Sequence, residues 1–415
     1  MVFPSVDLAA VCAADGEFLL AARHWTGGLR FVAGDDVIGL TIKDGTPLAG
    51  SPRRGERVIE LVGPAELWAS MLLAVPPRFL NDVSAALALG LKRHADALLW
   101  WQYVPAVQRA IELLRPDPEA AAAPAVTAPR APGTIDAPVG RYVHVELDGL
   151  DHRLYFEEAG QGIPLLLQHT AGAHGSQWRH LFECAAVTDH FRLIAYDLPF
   201  HGKSVPPEGI AWWAEPYRLT GNFLRQVPAA VAAALDLDRP AFMGCSVGGL
   251  LALDLALHDP VHFRAVISLE GALHIDGDID SLEGFWHPQV SNESKARIMD
   301  GLMSPTSPIA RRRETAQVYA AGWPPAFLGD LYYYMVDYDL RERAHEIDTT
   351  RVGVHILSGE YDYSGTIELG RLAHEAIKGS TFTVMPGLGH FPMSEDPDRF
   401  LTHLLPVLDA VRAAG

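Results

Sequence analysis

The sequence predicts an α/β protein: a mostly parallel sheet wound with helices over residues 139–415, preceded by a small α+β unit over residues 1–115. Three observations carry that prediction. From about residue 139 onward, short apolar runs alternate with helical segments, the order of a crossover-connected sheet. Runs such as IPLLLQ (163–168) are continuously apolar, as strands covered on both faces must be. The first 115 residues instead place strands before helices, and the stretch 116–138, rich in Pro and Ala, separates the two patterns.

At 415 residues the chain suits two units, on a prior of roughly 150 residues per domain. Hydrophobic residues at 49% and charged residues at 20% describe a globular protein with a substantial core. The net charge of −18 argues against nucleic acid or an anionic membrane as a partner, since both need a basic face. Cys12, Cys184 and Cys245 are odd in number and widely spaced, so neither a disulfide framework nor a zinc site is expected. The first residues lack a basic, then apolar, leader, and no run approaches the ~18 apolar residues of a membrane span. The expected location is the cytoplasm.

In the first unit, Gly16 to Arg23, Leu29 to Ala33, Asp36 to Ile42 and Val58 to Val62 read as strands, with Asp44-Gly45 as a hairpin turn. Ala65 to Leu73, Pro76 to Leu91 and Ala97 to Leu114 carry apolar residues at helical spacing. Trp68, Trp100, Trp101 and Tyr103 lie on these helices, where such stripes pack a core or form a homodimer face. The order LRFVAGDDVIGLTIKDG, VGPAELWASML and a last helix rich in Leu and Trp resembles the sterol-carrier-like (SCP2) lipid-binding fold. That resemblance implies an apolar tunnel between sheet and helices. The prolines of 116–138 favour an extended, semi-stiff linker.

In the second unit, Tyr142 to Leu147 and Arg153 to Glu158 read as an antiparallel pair around Asp148-Gly149. Ile163 to Gln168 is a buried strand running into His169, and Arg192 to Tyr196 another running into Asp197. Tyr217 to Leu235 reads as a helix, and Phe263 to Leu269, Arg351 to Leu357 and Thr381 to Met385 as further strands. Pro240 to Met243 is a short buried strand, and Leu250 to His258 a helix ending before Pro260. Between them, Gly244-Cys245-Ser246-Val247-Gly248 has the spacing of a nucleophile elbow. There the serine sits on a strained strand-to-helix turn, and glycines two residues to either side let the flanking elements approach closely. The helix start points free N–H groups at the place where an oxyanion would form. Ser246 is the candidate nucleophile.

Four loops occur in one order: QHTAGAHGSQW, DLPFHGKS, GCSVGG, and the pair GEYD and GLGHFP. On these, residues 139–415 resemble the α/β-hydrolase superfamily. Thr170 and Phe200 depart from it, standing where the family commonly has glycine. The resemblance implies a Ser, acid, His order along the chain. A serine hydroxyl needs a base, itself oriented by a third group. The family pattern assigns that base to His390 and the orienting acid to Asp362. Glu270, directly after FRAVISL, stands where some members place the acid and is the alternative. Glu360 is nearer to Asp362 in sequence but is expected to face away. The two N–H donors to the oxyanion are implied at Val247 and at Ala171, with Thr170 the competitor. His169, His174 and His201 are expected to hydrogen-bond backbone around the cleft.

Between Leu273 and about Asp348 lies the insertion where the superfamily carries its helical cap. Its aromatics, Phe285, Trp286, Tyr319, Trp323, Phe327 and Tyr332 to Tyr334, are expected to pack the lid and supply an apolar pocket. Arg311 to Arg313 read as a solvated helix face. The expectation is a serine hydrolase acting on an ester, lactone or amide of a fairly apolar small molecule, without cofactor or metal. A carbon–carbon bond hydrolase of a diketone-like substrate uses the same triad and is the second reading. Relatives acting on halides or epoxides carry aspartate at the position of Ser246. A non-catalytic ligand-binding protein, the third reading, predicts a damaged triad, whereas all three residues are present.

Overall fold

The computed structural model describes residues 1–55, 57–117, 122 and 130–414, so most of the linker expected at 116–138 lies outside the described residues. The N-terminal unit begins with two short helices, α1 (Leu8–Ala13) and α2 (Gly16–Ala21). Strands β1 (Gly27–Ala33), β2 (Asp36–Lys43), β3 (Thr46–Ala49) and β4 (Val58–Val62) follow. Then come α3 (Ala65–Met71), α4 (Val83–Ala88), β5 (Lys92–His94) and the long α5 (Ala97–Glu112). The sheet order is β3-β2-β1-β4-β5, antiparallel except for the β1 and β4 pair.

Two expectations fail here for local reasons. Gly16 to Arg23 is helical rather than extended, because Asp15 caps it by accepting the Phe18 N–H at 2.7 Å and only Phe18 on its inner face is buried. Pro76 to Leu91 forms one short helix rather than a long one: Phe79 has φ 70°, and Asp82 starts α4 by capping Ser84 and Ala85. Trp25 stacks on Tyr103, with ring centroids 4.6 Å apart, and Trp68 packs against Phe3 and Phe31. These buried rings fill the space where a tunnel was expected.

The second sheet has eight strands in the order β13-β12-β11-β10-β8-β9-β7-β6. It opens with the hairpin β6 (Val139–Leu147) and β7 (Leu150–Ala159), whose turn residues Asp148 and Gly149 both have positive φ. The parallel part is β8 (Ile163–Gln168), β9 (Phe191–Tyr196), β10 (Ala241–Cys245), β11 (Ala265–Leu269), β12 (Gly353–Gly359) and β13 (Thr381–Met385). Short helices α6 (Arg179–Phe182) and α7 (Ala185–Thr188) precede β9, α8 (Gly221–Ala234) precedes β10, and α9 (Val247–His258) follows it. The insertion between β11 and β12 carries α10 (Asn292–Gly301), α11 (Ile309–Ala321) and α12 (Pro324–Tyr332), the last running into one π turn, Tyr333–Asp337. Helices α13 (Ile367–Ala376), α14 (Pro392–Glu395) and α15 (Pro397–Ala413) complete the chain. Leu165 and Leu167 belong to the core on one face and Leu166 to the core on the other, which is why IPLLLQ is apolar throughout. Strand β8 pairs with both β9 and β10, so the chain reverses its winding there and leaves a crevice at the strand ends.

The N-terminal unit is docked on the insertion by a buried ion network. Arg297 of α10 donates to Glu112 of α5 and to Asp300, each at 2.7 Å. Arg312 donates to Asp300 at 2.9 Å, and Arg313 to both oxygens of Glu17. Arg311 pairs with Glu314 at 3.2 Å. Arg311 to Arg313 are therefore not a solvated face: the N-terminal unit supplies counter-charges to α11. Trp101 of α5 packs edge-on against Phe285 of the insertion, at 4.9 Å. Among the described residues no helix is long and apolar enough to cross a membrane.

Candidate functional site

Ser246 stands between β10 and α9 with φ 60° and ψ −115°, a conformation that costs energy and turns the side chain out of the strand. The flanking glycines make the turn possible. A methyl at Gly244 would land on the Gly248 carbonyl, and one at Gly248 would meet Gln168 at 2.7 Å. Ser246 is 5% exposed, covered by the insertion.

Asp362 and His390 come from the loops after β12 and β13. His390 Nδ1 lies 2.7 Å from Asp362 Oδ2, and Asp362 also accepts the N–H groups of Ser364 at 2.7 Å and Gly365 at 3.0 Å. The carboxylate is thereby aimed at the imidazole, and with Nδ1 engaged, Nε2 is the nitrogen left to the site. The histidine loop is fixed from three sides. Leu302 O accepts the His390 N–H at 3.0 Å, Glu395 accepts the Gly389 N–H, and the Cys245 thiol donates to the His390 carbonyl at 3.1 Å. The residue before Ser246 thus touches the residue expected to serve as its base.

Glu270 follows β11 and is fully buried, with both carboxyl oxygens against the Gly359 N–H at 2.9 and 2.8 Å. Burial, then the adjacent Asp362 carboxylate, push its carboxyl well above the usual range. The structure brings Asp362, rather than Glu270, to the imidazole.

Among the described residues the N–H groups of Val247 and Ala171 donate to no protein acceptor. The Thr170 N–H is committed to Gln177 Oε1 at 3.1 Å, and the Gly172 N–H to Asp330 Oδ2 at 2.7 Å. Of the two candidates in the loop after β8, Ala171 is the one with a free donor. His169 donates to Thr170 O at 2.8 Å and accepts the Leu198 N–H at 3.1 Å, and burial keeps it neutral. His174 is likewise lowered by burial. His201 does more than bind backbone. Burial alone would lower its pKa, but Asp330 of α12, 2.8 Å from Nε2, raises it, and the pair pins the insertion to the loop after β9.

Two groups of contacts were not legible in the sequence. Tyr334, in the π turn, stands beside Ser246 and lies 3.0 Å from Ser364 Oγ. The N-terminal unit also reaches the site. Tyr361 donates to Pro76 O at 3.2 Å, and Asn81 donates to the carbonyls of Gly301 at 3.0 Å and Met303 at 3.2 Å, on either side of Leu302. The only hint in the sequence was the run of tyrosines around Asp362. Among the described residues no three His, Cys, Asp or Glu side chains are grouped as a metal site needs.

A family model described as the alpha/beta hydrolase fold matches residues 163–397, more than half of the chain. The 2-hydroxy-6-oxo-2,4-heptadienoate hydrolase of Pseudomonas putida is 26% identical over 284 residues, covering 64% of this chain and 95% of its own. A pimeloyl-acyl-carrier-protein methyl ester esterase of Nitrosospira multiformis is 24% identical over 273 residues, covering 61% and 97%. Among solved structures, a thermophilic esterase from Thermogutta terrifontis superposes with a TM-score of 0.55 at 19% identity, over 65% of this chain and 99% of that one. The sterol-carrier-like resemblance of residues 1–115 finds no support in these comparisons.

Proposed function

The chain belongs to the α/β-hydrolase family and is an esterase-like hydrolase, and from that premise we propose that it cleaves a carboxylic ester, lactone or amide of a fairly apolar small molecule through an acyl-enzyme. The observation that carries the reading is the 2.7 Å contact between His390 and Asp362 beside a serine on a strained elbow.

In this mechanism His390 Nε2 takes the Ser246 proton as Oγ attacks the carbonyl carbon, and Asp362 stabilises the imidazolium. The oxyanion is held by the N–H groups of Val247 and Ala171, each worth about 3 kcal/mol in the transition state. Collapse expels the alcohol, which takes the proton from His390. Water then repeats the sequence on the acyl-enzyme and regenerates Ser246. The insertion acts as a cap that excludes water from these steps, and Phe285, Tyr319 and Phe327 supply apolar surface. We propose the domains as residues 1–115 and 139–415 joined by a linker at 116–138. A homodimer through the first domain is a further proposal, read by sedimentation.

Fluorophosphonate labelling tests the reading: the wild type is labelled and Ser246→Ala is not, and equal labelling of both would reject Ser246 as the nucleophile. The heptadienoate hydrolase relative supports a second reading, cleavage of a carbon–carbon bond next to a ketone by the same residues. A vinylogous diketone hydrolysed faster than any p-nitrophenyl ester would favour it.

A further inference from the structure

Lys295, on α10, is 2% exposed, and among the described residues its Nζ has no hydrogen-bond partner. Its ammonium lies 5.6 Å from the centroid of the Phe327 ring, on the inner side of the cap. Phe327 packs with Phe285 and Tyr319, and its Cβ stands against Gly172 in the loop that faces Ser246. Asp330, one turn along α12 from Phe327, is the anion whose charge acts on Lys295, but its oxygens are already taken. They accept from the Gly172 N–H, from His201 Nε2 and, at 3.2 Å, from the Tyr217 hydroxyl.

The helix that carries Lys295 is anchored at both ends. Asn292, one turn earlier on α10, donates to the carbonyls of Tyr319, Ala320 and Gly322. At the other end of the same helix, Leu302 O holds the His390 N–H. Seven residues of helix, roughly 10 Å of rise, separate Lys295 from that contact. Burial lowers the lysine pKa only to about 8, so the group is mostly charged at neutral pH. Taking an ammonium out of water without a hydrogen-bond partner is costly, and the charge of Asp330 and cation–π contact with one ring offset only part of that cost.

We propose that Lys295 recognises a carboxylate carried by the substrate, so that the preferred substrates are apolar chains bearing one acid group remote from the scissile bond. The proposal rests on the serine-hydrolase reading and narrows its substrate class. A neutral substrate leaves the buried ammonium unpaired, which is the arrangement that discriminates strongly between otherwise similar molecules.

The test uses the full-length protein hydrolysing p-nitrophenyl hexanoate, with adipate and suberate as inhibitors, in wild type and Lys295→Met. The expected result is competitive inhibition of the wild type, weakened by roughly 10- to 100-fold in the variant, the worth of a hydrogen bond to a charged group. The melting temperature of Lys295→Met does not fall, because methionine matches the stem without the charge, and inhibition constants are read against the neutral-ester turnover of each protein. A wild type insensitive to both diacids, or a variant inhibited as strongly as the wild type, overturns the proposal. Loss of hydrolysis in Ser246→Ala, measured alongside, keeps the two readings apart: if Ser246→Ala retains activity the serine mechanism fails, whereas insensitivity to diacids with a Ser246-dependent rate rejects only the carboxylate site.

Discussion

His390 Nδ1 and Asp362 Oδ2 lie 2.7 Å apart, both buried, on loops that leave neighbouring strands β12 and β13. Glu270, after the next strand β11, instead has both carboxyl oxygens against the Gly359 N–H. Two acids thus share one buried region, and only Asp362 touches the imidazole.

That division predicts unequal mutants. Asp362→Asn should lower kcat by about 10⁴-fold, because the amide no longer stabilises the imidazolium or enforces its tautomer. Glu270→Gln should change kcat only a few-fold, since Glu270 accepts from the Gly359 N–H and does not touch the imidazole, and an amide oxygen can accept in the same place. Steady-state rates on a p-nitrophenyl ester measure both, and the opposite ranking would transfer the acid's role to Glu270.

Tyr334 stands beside the nucleophile Ser246 and bonds Ser364 of the acid loop at 3.0 Å. Tyr334→Phe should lower kcat about tenfold, the worth of one hydrogen bond felt near the transition state. Fluorophosphonate labelling should slow in proportion, with no loss of melting temperature beyond a few degrees. Unchanged labelling would show that the phenol only packs.

Asn81 belongs to the N-terminal unit yet holds the carbonyls flanking Leu302, which in turn holds His390. Asn81→Ala should destabilise the protein by about 1–3 kcal/mol by leaving buried acceptors unpaired. It should also reduce kcat more than KM. A melting-temperature loss with unaltered kcat would limit the residue to a structural role.

Two buried carboxyls of the N-terminal unit give opposite pH dependences. Burial alone would raise Glu112, but Arg297 and Arg115 hold it at about 2, below its ordinary 4.5. Its stabilising contribution is present above 4.5 and is lost as pH falls through about 2. Burial raises Asp82 from 3.8 to about 6, so its contribution is full below 3.8 and is lost as pH rises through about 6. Calorimetry across this range should show Asp82→Asn flattening the decline between those two values. Glu112→Gln should lower stability by about 3–5 kcal/mol at neutral pH, because it leaves buried arginines uncompensated. An unshifted slope in Asp82→Asn would exclude it as the titrating group.

The sequence by itself determined the elements whose causes are local. Gly244 and Gly248 permit the turn at Ser246, the unbroken apolar run 163–168 requires a strand covered on both faces, and Asp148-Gly149 closes a hairpin. It also ordered the loops that carry Ser246, Asp362 and His390, because in a parallel sheet each such loop follows a strand. Only the tertiary structure decided which of two acids meets His390, which N–H of the HTAG loop stays free, and that Arg311 to Arg313 are paired with acids, one as distant as Glu17. The same holds for Tyr334 beside Ser246 and for Lys295 without a hydrogen-bond partner. The reason is physical: backbone turns answer to neighbours in sequence, whereas the ionisation and pairing of a buried side chain answer to whatever folding brings within a few ångströms.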